Sequence, residues 1–200
     1  MSGFSVVRVA LALLVMACAP ALNAAVTVAS LEALALEERQ TRDHHAALAL
    51  AFQSEDKPGP AAEALAVFDQ LPGAASPVDL DPVRKWIRTK SVEEYKAAVA
   101  FREKQDNASA VKSYLRAIML DPAIQARDDH GLLDLASSSL DSAVAKKKDD
   151  SKLRFKHALV QYQFGRIPEA EASFAAYLAI EKSPYYAWRG GVWHSRVKAE

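Results

Sequence analysis

Histidine and acidic residues are the first side chains in this sequence to consider for chemistry, because together they bind metal ions and move protons. Asp43, His44 and His45 form the densest such group among the five histidines. Adjacent residues on a helix point about 100° apart, so the two imidazoles cannot both bind one tetrahedral metal ion without a kink. We therefore expect His44 and His45 to be solvated helix residues. His157, in another predicted helix, is expected to serve packing or an interface.

The motifs of common enzymes are missing from the sequence. It contains no Gly-rich phosphate loop, no H-E-x-x-H and no G-x-S-x-G. The carboxylates of DLDP and KDDS occur where helices turn or begin, which indicates caps rather than an acid–base pair. Asn107-Ala108-Ser109 matches a glycosylation sequon, and we interpret it as a helix cap. The sequence thus predicts no catalytic residue, no bound metal, no cofactor and a protein that is not an enzyme.

The N-terminus has the three-part pattern of an export signal. Arg8 supplies a positive charge, Val9–Ala17 is an apolar run too short for a confident membrane span, and small residues follow. Cleavage is expected after Ala21 or Ala24, so we assign residues 1–25 to a signal peptide. An uncleaved anchor is the alternative. The protein is therefore expected to be periplasmic or secreted, or attached to the membrane at its N-terminus.

The single cysteine, Cys18, lies where the apolar run ends. The segment LVMAC resembles a bacterial lipoprotein box, in which the cysteine is lipidated, although Met16 is a poor match for the small middle residue. The alternative is an ordinary apolar residue in a peptide that is removed. Under both interpretations no disulfide and no cysteine-based metal site is expected, so stability depends on packing.

The composition favours helices and gives no sign of a nucleic-acid partner. Half of the residues are hydrophobic but only 8% are aromatic. A core built mainly from Ala, Leu and Val suits closely packed helices better than a sheet. Lys plus Arg number 25, as do Asp plus Glu, so no net field attracts nucleic acid.

The first part of the chain is predicted to hold helices separated by proline-rich segments. Helical periodicity covers three segments: Val26–Arg42, His44–Ser54 and Ala61–Leu71. The prolines and glycine of Glu55–Pro60 cannot all lie inside a helix, so this segment is predicted to be a turn. We therefore predict an N-terminal helical hairpin at 26–72. A linker at 73–90 follows, with a short helix near Val83–Arg88.

Capping signals mark the helices of the region 91–200. SVEE, which begins at Ser91, fits a capping box that opens a helix. Asn107 is predicted to cap the next helix, and Asp150 or Ser151 a later one. Leu132–Lys148 is predicted to be a helix whose terminal lysines suit the helix dipole.

Two helical hairpins in this region share one layout, at Tyr95–Pro122 and Leu153–Pro184. Both resemble the tetratricopeptide repeat, a helix–turn–helix unit of about 34 residues. The matching residues are Ala98, Phe101, Ala110, Tyr114, Ala117 and Pro122 in the first hairpin, and Ala158, Gly165, Glu169, Ala170 and Phe174 in the second. Only small residues let helix axes approach to about 8–10 Å. We therefore expect the alanines of each hairpin to face each other, Ala98 against Ala110 and Ala158 against Ala170.

Weaker matches flank the two hairpins. His44–Pro72 is similar to a degenerate repeat, and Pro184–Trp193 to the opening of another, which we interpret as a capping helix. Ala110 and Ala170 are closer in sequence than two regular repeats would place them, so Leu132–Lys148 is not a complete repeat. The resemblance implies an all-α fold, a short right-handed solenoid of antiparallel helical hairpins with a C-terminal capping helix.

The resemblance also implies a ligand surface, because ligands of this family usually lie on the concave face formed by the first helix of each hairpin. The corresponding residues are Val92, Tyr95, Val99 and Arg102, then Lys152, Phe155, Leu159, Tyr162 and Gln163, then Tyr186, Arg189, Trp193 and Arg196. An aromatic floor with basic side chains suits an extended peptide whose carboxylates pair with Arg or Lys. As an alternative, several of these residues simply pack against the N-terminal helices.

The leading hypothesis is a non-enzymatic scaffold or adaptor of the bacterial cell envelope that binds another envelope protein or peptide. It expects no nucleic acid, and contact with a membrane only through an N-terminal lipid or anchor. A self-associating structural module of an envelope complex is one alternative. A small solute-binding or enzymatic helical domain is another, which would require a buried cluster of titratable residues.

Overall fold

The computed structural model describes residues 26–73, 78–128 and 130–200. In these residues the chain is all-α, as predicted, and contains no strand. The described residues form ten α-helices and one 3-10 helix (Pro122–Arg127): α1 (Val28–Glu32), α2 (Leu36–Arg39), α3 (Arg42–Ser54), α4 (Pro58–Gln70), α5 (Asp81–Glu103), α6 (Asn107–Leu120), α7 (Leu132–Lys146), α8 (Ser151–Gln163), α9 (Ile167–Leu178) and α10 (Pro184–Lys198). The predicted signal peptide and Cys18 lie outside the described residues.

The chain divides into two compact units, one ending at Ile87 and one beginning at Arg88. Helix α5 contributes its first turns to the first unit and the rest of its length to the second. Each unit has its own buried residues and is described by itself.

The first unit is built on the hairpin of α3 and α4, which pack along alanines. Ala46, Ala47, Ala49 and Ala61 are completely buried. Because alanine has almost no side-chain volume beyond Cβ, it lets the two backbones approach closely without a loss of rotamer entropy. The close approach buries Phe68, whose ring carries the guanidinium of Arg42 at 4.1 Å.

The predicted single helix Val26–Arg42 is wrong, because local side chains start three separate helices there. The Thr27 hydroxyl accepts from the Ser30 N–H, and the Ser30 hydroxyl accepts from the Thr27 N–H, which makes a capping box at α1. Glu38 accepts from the Ala35 N–H at the start of α2. Thr41 then accepts from the His44 N–H and begins α3. Such caps supply acceptors for first-turn N–H groups, so each favours a new helix start.

The predicted turn Glu55–Pro60 is also wrong in its second half, since Pro58, Gly59 and Pro60 form the first turn of α4. First-turn N–H groups have no partner inside the helix, so prolines lose nothing by lacking one. The breaking effect of proline applies to helix interiors and not to this position.

Helix α5 begins at Asp81, within the predicted linker, and runs on through Ser91, so the predicted helix start at Ser91 is wrong. Ser91 is completely buried, and its hydroxyl donates to the Ala117 carbonyl on α6 at 2.9 Å. The Glu94 carboxylate accepts from Arg116 on α6 at 3.4 Å rather than from a helix end. Both side chains of the apparent capping box therefore join two helices.

The second unit contains two hydrophobic cores. Core A comprises Ala98, Ala110, Val111, Tyr114, Ala117, Ile118, Ile124, Leu132 and Ala136. Core B comprises Phe155, Ala158, Leu159, Ala170, Phe174, Tyr177 and Val197. The predicted alanine pairs are completely buried, one pair in each core. In core B the ring of Phe155 lies 5.9 Å from that of Phe174 and 5.1 Å from that of Tyr177, in tilted or edge-on geometry that aromatic pairs favour.

The turns of three hairpins have the same backbone conformation. A single residue with positive φ follows the first helix, namely Asp56 (51°), Gln105 (62°) and Gly165 (70°). The next N–H reaches back to a carbonyl of that helix, Lys57 to Phe52, Asp106 to Phe101 and Arg166 to Gln161, at 2.9, 3.0 and 3.0 Å. This bond is the Schellman pattern, which satisfies the last carbonyls of a helix. Gly165 supplies the left-handed residue of the third turn, and the other two turns use residues other than glycine.

The caps of the second unit differ in part from the prediction. Asp106, not Asn107, caps α6 by accepting from the Ser109 N–H, and Asn107 accepts instead from Arg102 at 2.6 Å. Asp150 caps α8, as one of the two predicted alternatives, by accepting from the Leu153 N–H. Helix α7 ends at Lys146, two residues before its predicted end.

Candidate functional site

Helices α8 and α10 run side by side in the same direction along core B. Near their starts, the Arg189 guanidinium of α10 lies 4.5 Å from the centre of the Phe155 ring of α8. Near their ends, the Tyr162 ring of α8 lies 5.8 Å from the Trp193 ring of α10. Contacts that follow the same order along both helices indicate that the two helices run in the same general direction. We call the partly exposed residues of these two helices the α8–α10 surface: Lys152, Tyr162, Tyr186, Arg189, Trp193 and Arg196.

Aromatic rings form the floor beneath this surface. The Trp193 ring stacks on Phe174 with 6.4 Å between centres and 5° between planes. Phe155 and Leu159 were predicted to line the surface, and this is wrong, since they are only 4% and 3% exposed. Their side chains belong to core B because they lie on the side of α8 that packs against α9.

Cations lie along the exposed edge of α10. Arg189 lies over the Phe155 ring and 5.0 Å from the centre of the Tyr186 ring, which is 41% exposed. Such stacking lets a guanidinium keep its charge while it covers apolar area. Lys152, at the start of α8, is exposed. The α8–α10 surface therefore combines positive charge with aromatic area.

Tyr162, Arg196 and Glu200 form a polar cluster at the far end of this surface. The Tyr162 hydroxyl donates to Glu200 Oε1 at 2.6 Å, and Arg196 Nε donates to the Tyr162 hydroxyl at 3.1 Å. Arg196 Nε also lies 3.4 Å from Glu200 Oε1. Burial and the hydrogen bond to Glu200 raise the pKa of Tyr162, while Arg196 partly opposes the shift. The phenol is thus held in its donating, neutral form.

The α5 residues of the predicted surface belong to a different neighbourhood. Tyr95 and Val99 pack against core A, and the Tyr95 hydroxyl donates to the Arg127 carbonyl at 2.8 Å. Arg102 donates to Asn107 in the adjoining turn. The predicted set therefore separates into two groups, and in the second group Tyr162 of α8 contacts Trp193 and Arg196 of α10.

His157 bridges three helices in an arrangement that the sequence analysis does not predict. Its Nε2 lies 2.8 Å from Asp141 Oδ1 on α7, and its Nδ1 lies 3.1 Å from Ser173 Oγ on α9. Gln161, one turn further along α8, lies 3.1 Å from the same Nε2. Hydroxyl, imidazole and carboxylate in this order are the elements of a catalytic triad.

The surroundings of Ser173 argue for a structural role. Ser173 lies in the interior of α9, where the backbone N–H groups around it bond within the helix and so cannot stabilise an oxyanion. Asp141 and Ser173 are each sixteen residues from His157. The spacing in sequence does not reveal these contacts, because they form only when α7, α8 and α9 pack together. The packing role predicted for His157 agrees with these contacts.

The prediction that His44 and His45 are solvated is wrong, since they are 0% and 1% exposed. Their rings meet edge-on with 5.4 Å between centres. Among the described residues neither ring nitrogen of His44 finds a hydrogen-bond partner. Burial, with Arg39 nearby, lowers the pKa of His44 to about 4, and Glu38 opposes the shift. Both imidazoles are therefore shielded from water.

No group of three or more potential metal-ligating side chains occurs in the parts of the chain that the structure describes. Across those same ranges, no helix has both the length and the apolar character needed to cross a bilayer. Comparison of the chain with models of protein families, with curated proteins and with solved structures found no match.

Proposed function

We propose that this protein is a non-enzymatic scaffold of the cell envelope that binds an extended peptide segment of a partner protein on its α8–α10 surface. The observation that carries the proposal is the group of partly exposed aromatic and cationic side chains on α8 and α10, in which Tyr162 contacts Trp193 and Arg196, and Arg189 contacts Tyr186. Rings supply contact area at low entropic cost, and guanidinium groups pair with carboxylates in fixed geometry. The partner segment is expected to combine apolar and acidic residues.

The proposed architecture is a short solenoid of the tetratricopeptide type, with α10 as the capping helix. The repeated Schellman turns at Asp56, Gln105 and Gly165 support it, as do the alanine contacts in both cores. The shared general direction of α8 and α10 supports it too, because equivalent helices of stacked hairpins run in the same direction. The 3-10 helix and α7 make the stack irregular between the two central hairpins.

The proposed location rests on the N-terminal sequence. Arg8, the apolar run Val9–Ala17 and the small residues after it favour export, and Cys18 offers a lipid attachment site as an alternative to complete removal. The partner is then another envelope protein or peptide, and contact with a membrane is limited to an N-terminal lipid or anchor.

Two other functions are weaker proposals. An enzyme or solute-binding domain would find its chemistry at Asp141, His157 and Ser173, but a hydroxyl inside a helix lacks oxyanion donors. A self-associating envelope module would use the same α8–α10 surface against a second copy. Size-exclusion chromatography with light scattering distinguishes that case, because a partner-binding scaffold elutes as a monomer.

The test compares two double variants in affinity purification from envelope fractions. Tyr162→Ala with Arg189→Ala removes an aromatic ring and a cation from the α8–α10 surface. Tyr95→Ala with Arg116→Ala removes the same side-chain types from the core A region and serves as the matched control. A partner retained by the wild type and the control, but reduced at least tenfold with the surface variant, supports the proposal.

Equal recovery of every co-purifying protein by all three chains, with unchanged circular dichroism, would contradict the α8–α10 surface as the binding site. The same samples report the mature N-terminus by mass spectrometry. A chain that begins after Ala21 or Ala24, or a lipidated Cys18, agrees with export, whereas an intact Met1 refutes cleavage.

A further inference from the structure

Glu200 places a carboxylate against two donors of the α8–α10 surface. The Tyr162 hydroxyl donates to Glu200 Oε1 at 2.6 Å, which is the short distance typical of a hydroxyl bonded to a charged acceptor. Arg196 supports this pair from the other side, since its Nε lies 3.1 Å from the phenol oxygen and 3.4 Å from Glu200 Oε1. One carboxylate oxygen thus meets a phenol and a guanidinium together.

The fold does not depend on the Glu200 side chain. Glu200 lies beyond the last residue of α10, and its side chain is 41% exposed. The end of α10 is closed by backbone bonds, from the Ala199 N–H to the Arg196 carbonyl and from the Glu200 N–H to the Val197 carbonyl. The carboxylate can therefore leave its donors without opening core B.

Tyr162 and Arg196 belong to the same surface as the groups proposed to bind a peptide. Arg189, Trp193 and Arg196 follow one another on α10 at intervals of three and four residues, which places them on one face of the helix. The Trp193 ring touches Tyr162 edge-on. An acidic side chain bound at Tyr162 and Arg196 would bring its neighbour in the peptide onto the Trp193 ring.

We propose that Tyr162 and Arg196 form a carboxylate-binding subsite, which Glu200 fills until an aspartate or glutamate of the partner displaces it. This inference rests on the proposed function of the α8–α10 surface and specifies the chemistry of the partner. Glu200 acts as an internal competitor: it keeps two donors satisfied when no partner is bound, and it discriminates against segments without an acidic residue at the matching position.

The expected gain on removing the competitor is modest. Glu200 is held by one charge-assisted hydrogen bond and a partly exposed ion pair, interactions that favour the closed arrangement by a factor of about three to ten. The apparent affinity of a peptide falls by the fraction of molecules whose site is open. Glu200→Gln is therefore expected to strengthen binding of an acidic peptide by about three- to tenfold.

The experiment measures fluorescence anisotropy of a rhodamine-labelled, amidated hexaglutamate peptide with the full chain. Glu200→Gln is expected to bind more tightly than the wild type. Glu171→Gln is the matched control, since Glu171 is also an acid that lies against an α10 cation, Lys198 at 3.8 Å, but it touches neither Tyr162 nor Arg196. The control should bind like the wild type, and Arg196→Gln added to Glu200→Gln should abolish the gain.

Equal affinities of the wild type and Glu200→Gln would overturn the inference, and so would equal gains in Glu200→Gln and Glu171→Gln, because the latter reports net charge alone. No binding of hexaglutamate to either chain would overturn it as well. None of these results affects the partner-capture test above, so the proposed surface can survive when the carboxylate subsite fails. Circular dichroism of each variant checks that the fold is retained.

Discussion

At the scale of single residues, the buried imidazole of His44 makes the first unit sensitive to acid. His44 is completely buried, and its ring nitrogens have no hydrogen-bond partner in the described part of the chain. A charged imidazole there would lose its hydration without gaining a bond. The folded first unit therefore holds His44 neutral, whereas the unfolded chain protonates it readily.

The first prediction concerns the pH dependence of stability. The folded pKa of His44, about 4, lies below the usual value of 6.5 for a histidine, so its protonation favours the unfolded chain. The contribution of His44 to the free energy of unfolding should be constant above about pH 6.5. It should decrease by roughly 3 kcal/mol between about pH 6.5 and pH 4. His44→Phe should remove that part of the loss, which urea unfolding at several pH values measures.

The difference between wild type and variant is the quantity to compare, because carboxylates titrate in the same range. Parallel stability curves for the wild type and His44→Phe from pH 7 to pH 4 would show that His44 is protonated without cost. The proposed burial of a neutral imidazole would then be incorrect.

At the scale of elements, local sequence signals predict the helices better than their ends. A helix start at Asp150 or Ser151 could be predicted because a cap depends on the residue and its near neighbours, and the repeat resemblance pointed to the buried alanine pairs. The start at Ser91 is wrong because its hydroxyl bonds to α6, a contact between residues twenty-six positions apart. No local rule contains that contact.

The candidate site is predictable to a similar extent. Residues at helical spacing on α8 share a face, so Tyr162 and Lys152 were found together with Phe155 and Leu159. Spacing does not tell which part of that face packs against α9, and the last two residues are buried there. Glu200 and the three-helix contact of His157 are invisible to spacing because they depend on how separate helices meet.

Gly190 fixes the distance between α9 and α10. A Cβ at this position would lie 2.8 Å from Cδ1 of Tyr177 and 3.2 Å from Cδ2 of Leu178. The Tyr177 ring cannot move away easily, since it is 2% exposed and its hydroxyl donates to the Tyr186 carbonyl at 2.8 Å. The bare backbone of Gly190 thus lets α10 come close enough to complete core B.

The second prediction compares two neighbouring glycines of α10. Gly190→Ala should destabilise the protein by about 1–3 kcal/mol, because overpacking forces Tyr177 or the whole helix to move. Gly191→Ala is the matched control, since a Cβ there meets no atom within 4 Å. It should stabilise by up to about 1 kcal/mol through helix propensity. Urea unfolding followed by circular dichroism measures both, and equal effects of the two substitutions would disprove the close-approach role.

At the scale of the whole molecule, the second unit has its own buried cores, as an independently folding domain does. Core A and core B consist entirely of residues after Arg88. A segment that has its own buried core can fold without the rest of the chain. Its helices also pack locally in sequence, since α6 contacts α7, α8 contacts α9 and α9 contacts α10.

The third prediction is that a fragment of residues 88–200 folds by itself. It should keep a helical circular-dichroism spectrum and unfold in urea as one cooperative transition. Fragment 88–178, which lacks α10, is the informative comparison. It should lose cooperativity because Val197 and the Gly190 contact are missing from core B. An unfolded 88–200 fragment would mean that core A and core B depend on the first unit.

The shared hairpin turns mark positions where insertions into the chain would disrupt the helices. At Asp56, Gln105 and Gly165 the backbone N–H groups are already engaged with the preceding helix, so an inserted epitope or linker would unravel a helix end. The exposed link from Lys147 to Asp149 carries no left-handed residue. A cysteine for dye attachment placed at Lys148 would compete only with Cys18, the one native thiol in the sequence.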